Sequence, residues 1–297
     1  MNSPKEIIRG IGRRSLRFFR PVLSDRCYIK QYFYLKTGYS LNLENPKTFN
    51  EKMQWLKFNN QDPSYTEMVD KYAAKQYVAS IIGNQYVIPT IGVFDNPNEI
   101  DFDALPNRFV LKCTHDSGGI VICKGQASLN KDVVRKKLSA GLSRNYYRFS
   151  MEFPYKNVKP RILAEEFLTD GNIDLIDYKV HCFNGVPKLI LVCKDRYSQT
   201  GLTEDFFTAE WEHLDVRRPT HPNSKGMIPR PLLLDEMLSL SRKLSEKIPF
   251  VRVDWYISNN RLFFGELTFF PASGMTPFVP KSYDDLFGSW IVLPIVK

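Results

Sequence analysis

Four side chains near the end of the chain have the types and spacing to concentrate charge at one point. In VRVDWYISNNRLFFGELTFF, Val251, Val253, Trp255 and Ile257 alternate with Arg252, Asp254 and Tyr256. That period puts Arg252 and Asp254 on one face of a strand. On the next strand Glu266 and Thr268 share a face. Glu266 stands among Phe263, Phe264, Leu267, Phe269 and Phe270, just before the chain breaks into Pro-Ala-Ser-Gly. A carboxylate in such surroundings is costly unless a basic partner, a hydrogen-bond network or a metal ion compensates it. A three-residue turn at 258–260 sets all four groups on one face, whereas a two-residue Asn259-Asn260 turn splits them. Brought together, two repelling carboxylates call for a cation, and hard oxygen ligands suit Mg2+. An ion-pair patch on a solvated sheet face is the plain alternative.

Three further stretches carry polar groups in apolar settings. In FVLKCTHDSGGIVICKG, Lys112 lies within an apolar strand and is followed by Ser117-Gly118-Gly119. Glycines let backbone N–H groups approach phosphate oxygens, and a strand lysine supplies a point charge, although most Gly-Gly turns only close hairpins. In ILAEEFLTDG, a strand ending at Glu165, Glu166, Phe167 and Leu168 passes into a turn. It reads as a connector whose backbone could face an adenine edge, or as an ordinary strand with one exposed glutamate. VDKYAAKQYV spaces Lys71 and Lys75 four apart, on one face of a helix. DLIDYKVHCFNG puts Asp177, Lys179 and His181 on one face of a strand.

The elements that must position these groups are legible in outline. Thr48 with Glu51 has the spacing of a capping box, ahead of Phe49, Met53 and Leu56 on one helical face. Ser64 with Glu67 repeats the signal before a second helix that ends at Gly83-Asn84. YVIPTIGVF, RFVLKCTHD and IVICK read as strands, residues 130–148 as a helix, and RILAEEFL, IDLIDYKVHCFNG, VPKLILVCKDRY and DFFTAEWEHLDV as strands again. PLLLDEMLSLSRKLSEKI reads as a helix with Pro231 at its start. The expected class is α+β with antiparallel strands prominent in the second half. The expected division is a basic segment 1–26, a helical part 27–84, a small α/β part 85–160 and a larger β-rich part 161–297.

The formal net charge of +9 favours an anionic partner. Arg9, Arg13, Arg14, Arg17 and Arg20 alternate with Ile7, Ile8, Ile11, Leu16, Phe18 and Phe19. Such a segment can lie on an anionic membrane surface, or dock on its own domain. The arginines interrupt any signal-peptide core, and no run is apolar enough to span a bilayer. The expected location is the cytoplasm, at or near the inner face of the membrane. Five cysteines without C-x-x-C spacing read as free thiols.

Taken in order, KTFNEKMQWLKF, VDKYAAKQYV, FVLKCTHDSGG, DYKVHCFNG and FGELTFFPASGM resemble the teichuronopeptide-biosynthesis (TupA-like) family of ATP-grasp enzymes, over roughly residues 27 to 290. The terminal hairpin is also similar to the metal-binding hairpin of D-alanine–D-alanine ligases. The resemblance implies an ATP-grasp fold, with nucleotide held between a small lid and a larger antiparallel-sheet domain. It implies that Lys71 and Lys112 bind phosphates, that Ser117, Gly118 and Gly119 form the lid loop, and that Glu165, Glu166, Phe167 and Leu168 hold adenine. Asp170 or Asp174 would contact ribose. Asp254 and Glu266, with Thr268, would hold Mg2+, and Arg252 and Lys179 would be catalytic. Two departures stand out: Thr268 occupies a position where the family usually has Asn, and Asn172 falls where many relatives have a ribose-contacting glutamate.

The implied activity is ATP- and Mg2+-dependent joining of a carboxylate to an amine through an acylphosphate. The family's context makes the carboxylate a uronic acid of a surface polysaccharide and the amine an amino acid. A metal-dependent glycosyltransferase using Asp101-Phe102-Asp103 is the alternative enzyme, although acids also cap loop and helix starts of this kind. A basic module binding nucleic acid or membrane is the non-catalytic reading. It leaves Asp254, Glu266 and Lys112 without a purpose, and no nucleic-acid partner is expected.

Overall fold

The computed structural model describes residues 4–116, 118–171, 175–196, 198 and 201–295. Helices α1 (Pro4–Phe18), α2 (Asp25–Thr37), α3 (Phe49–Asn59), α4 (Tyr65–Val69) and α5 (Ala73–Ile82) come first. Then follow β1 (Thr90–Phe94), β2 (Phe109–Cys113), β3 (Ile120–Cys123), α6 (Lys131–Leu142), α7 (Tyr146–Ser150) and β4 (Ile162–Glu166). The remainder holds β5 (Asp177–Phe183), β6 (Val186–Lys194), β7 (Thr203–Thr208), β8 (His213–Leu214), α8 (Leu234–Leu244), β9 (Phe250–Ser258), β10 (Arg261–Thr268) and α9 (Ser282–Ser289). Two antiparallel sheets result, a four-stranded one in the order β1-β4-β2-β3 and a six-stranded one in the order β10-β9-β5-β6-β7-β8. No helix among the described residues is long and apolar enough to cross a membrane. All five cysteines are free.

Alternation along β9 decides what each face of the large sheet does. Val251, Val253 and Trp255 are fully buried on one face, where α8 packs and Ser241 Oγ accepts the Trp255 indole N–H at 2.8 Å. Arg252 and Asp254 point to the other face.

The β9–β10 turn differs from the arrangement needed to gather four groups on that face. Asn259 and Asn260 both lie in the left-handed region, with φ of 49° and 57°, so the turn has two residues. The register it sets runs from Arg261 opposite Ser258 to Phe264 opposite Trp255. Continued unbroken, that register would turn Glu266 to the core. A bulge intervenes: the next pair is Leu267 opposite Val253, and then Thr268 opposite Arg252. The extra residue returns Glu266 and Thr268 to the face of Arg252 and Asp254. Gly265 is the bulge residue that allows the close approach, since a Cβ there would lie 3.0 Å from the Tyr256 ring and 3.2 Å from Asp254 O.

The helical part differs in one respect. The Thr48–Glu51 capping box forms, with both reciprocal bonds. Ser64 does not cap; its N–H and hydroxyl bond Asp62 Oδ1 instead. The single helix expected after it breaks at Asp70, whose ψ is 112°. The Asp70 carboxylate accepts the Tyr72 N–H at 2.9 Å and holds Arg161 at 2.7 Å, which restarts the chain as α5. Lys71 and Lys75 therefore belong to different elements and share no helical face. The helix expected from Pro231 likewise begins later, at Leu234.

Replacing both Asn259 and Asn260 by Val should cost about 2 to 4 kcal/mol in urea unfolding, because each branched side chain enters the left-handed region. A loss under about 1 kcal/mol would mean that the turn does not set the hairpin's register.

Candidate active site

The two sheets face each other across a cleft of ≈ 800 Å³. The small sheet contributes Val110 and Lys112 from β2, Ile120 and Ile122 from β3, and Glu165 and Glu166 from β4. The large sheet contributes Asp177 and Lys179 from β5, Asp254 and Tyr256 from β9, and Gly265 and Glu266 from β10. Phe167 and Leu168 line the cleft from the β4–β5 connector, Lys71 from the turn before α5, and Asp116 and Gly118 from the β2–β3 loop.

Arg252 organises the large-sheet side. Its Nε donates to Asp254 Oδ1 at 2.6 Å and its Nη2 to Asp254 Oδ2 at 2.7 Å. The same Nη2 reaches Glu266 Oε1 at 3.0 Å and Thr268 Oγ1 at 3.1 Å. Lys179 donates to Asp254 Oδ2, and Asp177 pairs with Arg196 at 2.5 Å. Arg252 is buried behind the two acids and does not form part of the cleft wall. Thr268 also stands back from the wall, with its hydroxyl on Glu266 Oε1 at 3.3 Å. Burial alone would raise the Glu266 carboxyl, but Lys71, Arg252, Lys179 and Lys112 outweigh it and hold it at about 2. Burial would lower the Lys179 amine, and Asp254 leads the opposing charges that raise it. His181, one residue pair deeper, is pushed well below its ordinary value by burial and Arg252, so it is neutral; its Nδ1 lies 3.0 Å from Lys179 O.

On the small-sheet side Glu165 holds two lysines. Lys75 meets Oε1 at 2.7 Å and Lys112 meets Oε2. Burial raises the Glu165 carboxyl, and Lys112 and Lys75 together bring it below its ordinary value. Lys75 is buried and also donates to Ile88 O at 2.6 Å. Lys71 stitches down the β2–β3 loop: its backbone N–H bonds Thr114 O at 3.1 Å and its amine bonds Asp116 O at 2.6 Å. Gly119 closes that loop by donating to Asp116 Oδ1 at 3.3 Å. The Arg108 guanidinium covers the Phe167 ring at 5.2 Å.

The sequence candidates do not all meet in the cleft. Lys71, Lys112, Gly118, Glu165, Glu166, Phe167, Leu168, Lys179, Asp254 and Glu266 share the cleft wall. Arg252, Thr268 and Gly119 support it from behind or beside. Asp170 does not join the wall but accepts the Asn259 N–H at 3.3 Å, which ties the connector to the hairpin turn. Ser117 and Asp174 lie outside the described residues. Asp101 and Asp103 are on the surface: Asp101 caps its own turn through the Asp103 N–H, and Asp103 pairs with Lys131 at 2.7 Å. Capping and surface pairing account for both acids, neither of which lines the cleft.

The donor set suits a divalent cation. Asp254 and Glu266 are hard oxygen donors on one wall, and Glu266 is held anionic with its side chain 39% exposed to the cleft. Among the described residues no cluster of three His, Cys, Asp or Glu side chains stands ready as a metal site. The protein therefore offers two carboxylates, and phosphate oxygens and water must complete a coordination shell, as is usual for Mg2+.

A second support was not foreseen. After β10, Ala272, Ser273 and Gly274 all take left-handed φ values, 49°, 58° and 58°. Helix α3 pins them. Gln54 Nε2 donates to Ser273 O at 3.1 Å and to Gly274 O at 2.7 Å. The buried Lys57 amine donates to Ser150 O and Ser273 O, both at 2.9 Å, and to Ser273 Oγ at 2.8 Å. Gly274 passes so near α3 that a Cβ would lie 2.3 Å from Met53 Cβ. Burial lowers the Lys57 amine and raises the neighbouring Glu152 carboxyl, and each charge partly offsets the other's shift. The signal was present in WLKF: Lys57 falls four residues after Met53, on the apolar face.

Two antiparallel sheets that close on a nucleotide-sized cleft, with lysines on one wall and an Arg-braced pair of acids on the other, define an ATP-grasp fold. The chain belongs to the TupA-like ATP-grasp family, whose profile matches residues 51–292. No curated protein matches it by sequence. Among solved structures it is similar to D-alanine–D-alanine ligase from Helicobacter pylori, at 15% identity over 77% of this chain and 64% of that one, with a TM-score of 0.41. It is also similar to the Bacillus anthracis D-alanine–D-alanine ligase complexed with ATP, at 14% identity over 68% and 53%, TM-score 0.39. A third is phosphoribosylamine–glycine ligase from Thermotoga maritima, at 12% identity over 69% and 48%, TM-score 0.39. The chain spans about half to two thirds of the length of these proteins.

Two measurements test the site's physical chemistry. Lys57→Met should cost about 3 to 5 kcal/mol in urea unfolding, since it removes the amine's three bonds to Ser150 and Ser273 and leaves buried Glu152 without its neighbouring cation. A cost below about 1 kcal/mol would show that the left-handed loop is held by other means. The folded Glu266 carboxyl at about 2 lies below its ordinary 4.5, so its stabilising contribution is complete above pH 4.5 and is lost as pH falls towards 2. Glu266→Gln should flatten that part of the stability–pH curve; an unchanged acid limb would remove the charge network as its cause.

Proposed function

We propose that the chain is an ATP- and Mg2+-dependent carboxylate–amine ligase that works through an acylphosphate. The observation that carries this reading is the convergence of Lys71, Lys112 and Lys179 with Asp254 and Glu266 on one cleft. In the proposed reaction the substrate carboxylate oxygen attacks the γ-phosphorus of ATP, and the bond to ADP breaks. The amine then attacks the acyl carbon, phosphate leaves, and an amide forms with loss of the amine proton.

The residues have distinct proposed roles. Lys112, held by Glu165, faces the nucleotide phosphates, and Lys71 couples those phosphates to the β2–β3 loop that it already bonds. Val110, Phe167 and Leu168 enclose adenine, with Glu165 and Glu166 at its edge, and the loop around Ser117, Gly118 and Gly119 covers the phosphates. Asp170 or Asp174 contacts ribose. Asp254 and Glu266, with Thr268 behind them, would hold Mg2+, which supplies charge neutralisation on the phosphate oxygens. Arg252 fixes both acids from behind, and Lys179, on the cleft wall, keeps positive charge where the phosphoryl group moves. The small-sheet part, from residue 85 through β4, acts as a lid against the β-rich part that follows it, and its closure keeps water off the acylphosphate.

By the same reading the carboxylate belongs to a uronic acid of a surface polysaccharide and the amine to an amino acid. The net charge of +9 suits an anionic, lipid-linked glycan, and the enzyme would work at the cytoplasmic face of the membrane.

A phosphate-release assay across uronic acids and amino acids, with ADP and AMP separated, tests the activity. ADP formation that needs both substrates supports the reading; AMP would replace the acylphosphate with an adenylate. Asp254→Asn and Glu266→Gln should each abolish turnover with far-UV dichroism retained, and normal turnover by either would overturn the metal assignment. Lys112→Ala should weaken ADP binding at least about tenfold, equivalent to about 1.4 kcal/mol. Unchanged affinity in calorimetry would remove its phosphate role.

A further inference from the structure

Helix α1 is docked the wrong way round for a helix of a globular domain. Such helices turn their apolar side to the core and their charges to water. Here the arginine side faces the protein. Arg13 Nη1 donates to Leu35 O at 3.1 Å, and Arg17 Nη2 donates to the Tyr32 hydroxyl at 2.8 Å. Gly12 brings α1 close to α2, since a Cβ there would lie 3.1 Å from Leu35 Cδ2. Leu16 packs on the cluster that contains Tyr28 and Phe33. The opposite side is apolar and uncovered among the described residues. Ile8, Ile11, Phe18, Phe19 and Val22 are between 54% and 80% exposed. At 3.6 residues per turn the four that lie on or next to the helix fall within about 100° of arc. Isolated exposed hydrophobics are ordinary, but five along one side of a helix and the turn after it, with Ser15 the polar residue among them, are not.

The charge around the ridge identifies what covers it. Residues 1–20 contain five arginines, Arg9, Arg13, Arg14, Arg17 and Arg20, against one acidic residue, Glu6. Arg14 is exposed beside the ridge. A second copy would set these arginines against their own counterparts, which like-charge repulsion disfavours. An apolar stripe flanked by arginines matches the interface of a bilayer carrying negative headgroups. We propose that α1 and the turn after it bind an anionic phospholipid surface, with Ile8, Ile11, Phe18, Phe19 and Val22 entering the headgroup–acyl boundary and Arg14 meeting the headgroups.

This gives the membrane location proposed above a specific surface, and rests on that reading only for its cellular setting. Vesicle binding needs neither ATP nor acceptor, so its failure and the failure of ligation are read separately. The test is co-sedimentation of the full chain with vesicles of phosphatidylcholine alone and of phosphatidylcholine with phosphatidylglycerol. The chain should bind the anionic vesicles at least about tenfold more tightly, and added salt should weaken that preference. Ile11→Asp with Phe18→Asp should lose at least about tenfold in binding. Its unfolding midpoint should stay unchanged, because both side chains already face water. No preference for anionic vesicles, or equal binding by the variant, overturns the proposal. So does concentration-dependent dimerisation of the chain that the same two substitutions abolish, since a second copy would then cover the ridge.

Discussion

One guanidinium carries the arrangement. Arg252 lies buried behind Asp254 and Glu266 and bonds both. Without it, two carboxylates on adjacent strands would repel each other in a largely apolar sheet, and neither would remain anionic cheaply. With it, Glu266 is held anionic, and Asp254, whose carboxyl burial still raises above its ordinary value, is fixed by two bonds. Breaking such a pair from one side costs far more than the pair contributes net, because the remaining charge is left buried. The interaction therefore serves orientation more than stability.

The rest of the large sheet makes that contact possible. Alternation along β9 sends Val253 and Trp255 to the core and Arg252 and Asp254 to the opposite face, where Asp254 lines the cleft and Arg252 stands behind it, while the bulge at Gly265 and Glu266 corrects the register on β10. Across the cleft the sign order is mirrored: one acid, Glu165, holds two lysines, Lys75 and Lys112. The two walls thus pair an acid-rich floor with a lysine-rich roof, and charge is compensated across the cleft as well as within each wall, since Lys71 and Lys112 help to hold Glu266 anionic. The connector between them is tied to the hairpin turn, with Thr169 O accepting the Ser258 hydroxyl at 2.6 Å and Asp170 accepting the Asn259 N–H. Roof and floor are consequently joined at the hinge as well as through the ligand space.

Much of this was legible because it follows from short-range rules. Period-two alternation identified the cleft face of β9, and an acid among phenylalanines marked Glu266 as special. Order along the chain then carried the family. What escaped depends on registers and on burial. A bulge adds a single residue and leaves no mark in composition beyond one glycine, so the hairpin offered two registers and the protein uses neither in pure form. The helix break at Asp70 was hidden because the apolar stripe continues across it, and one of the contacts that fix it is to Arg161, 91 residues away in sequence. The partners of Lys57 and Lys75 were not legible, since they are carbonyls and a carboxylate contributed from distant segments. The triplet Asp101-Phe102-Asp103 illustrates the reverse case, a recognisable pattern whose acids are occupied with local capping.

The central claim is that the hairpin acids and the β2 lysine hold one Mg2+–nucleotide between them. A crystal structure of the chain with Mg2+ and a non-hydrolysable ATP analogue tests it most directly. The account predicts the metal bonded to carboxylate oxygens of Asp254 and Glu266, with Lys112 on a phosphate and adenine beside Phe167 and Leu168. Nucleotide bound elsewhere, or a metal that leaves both acids paired only with Arg252 and Lys179, would contradict it.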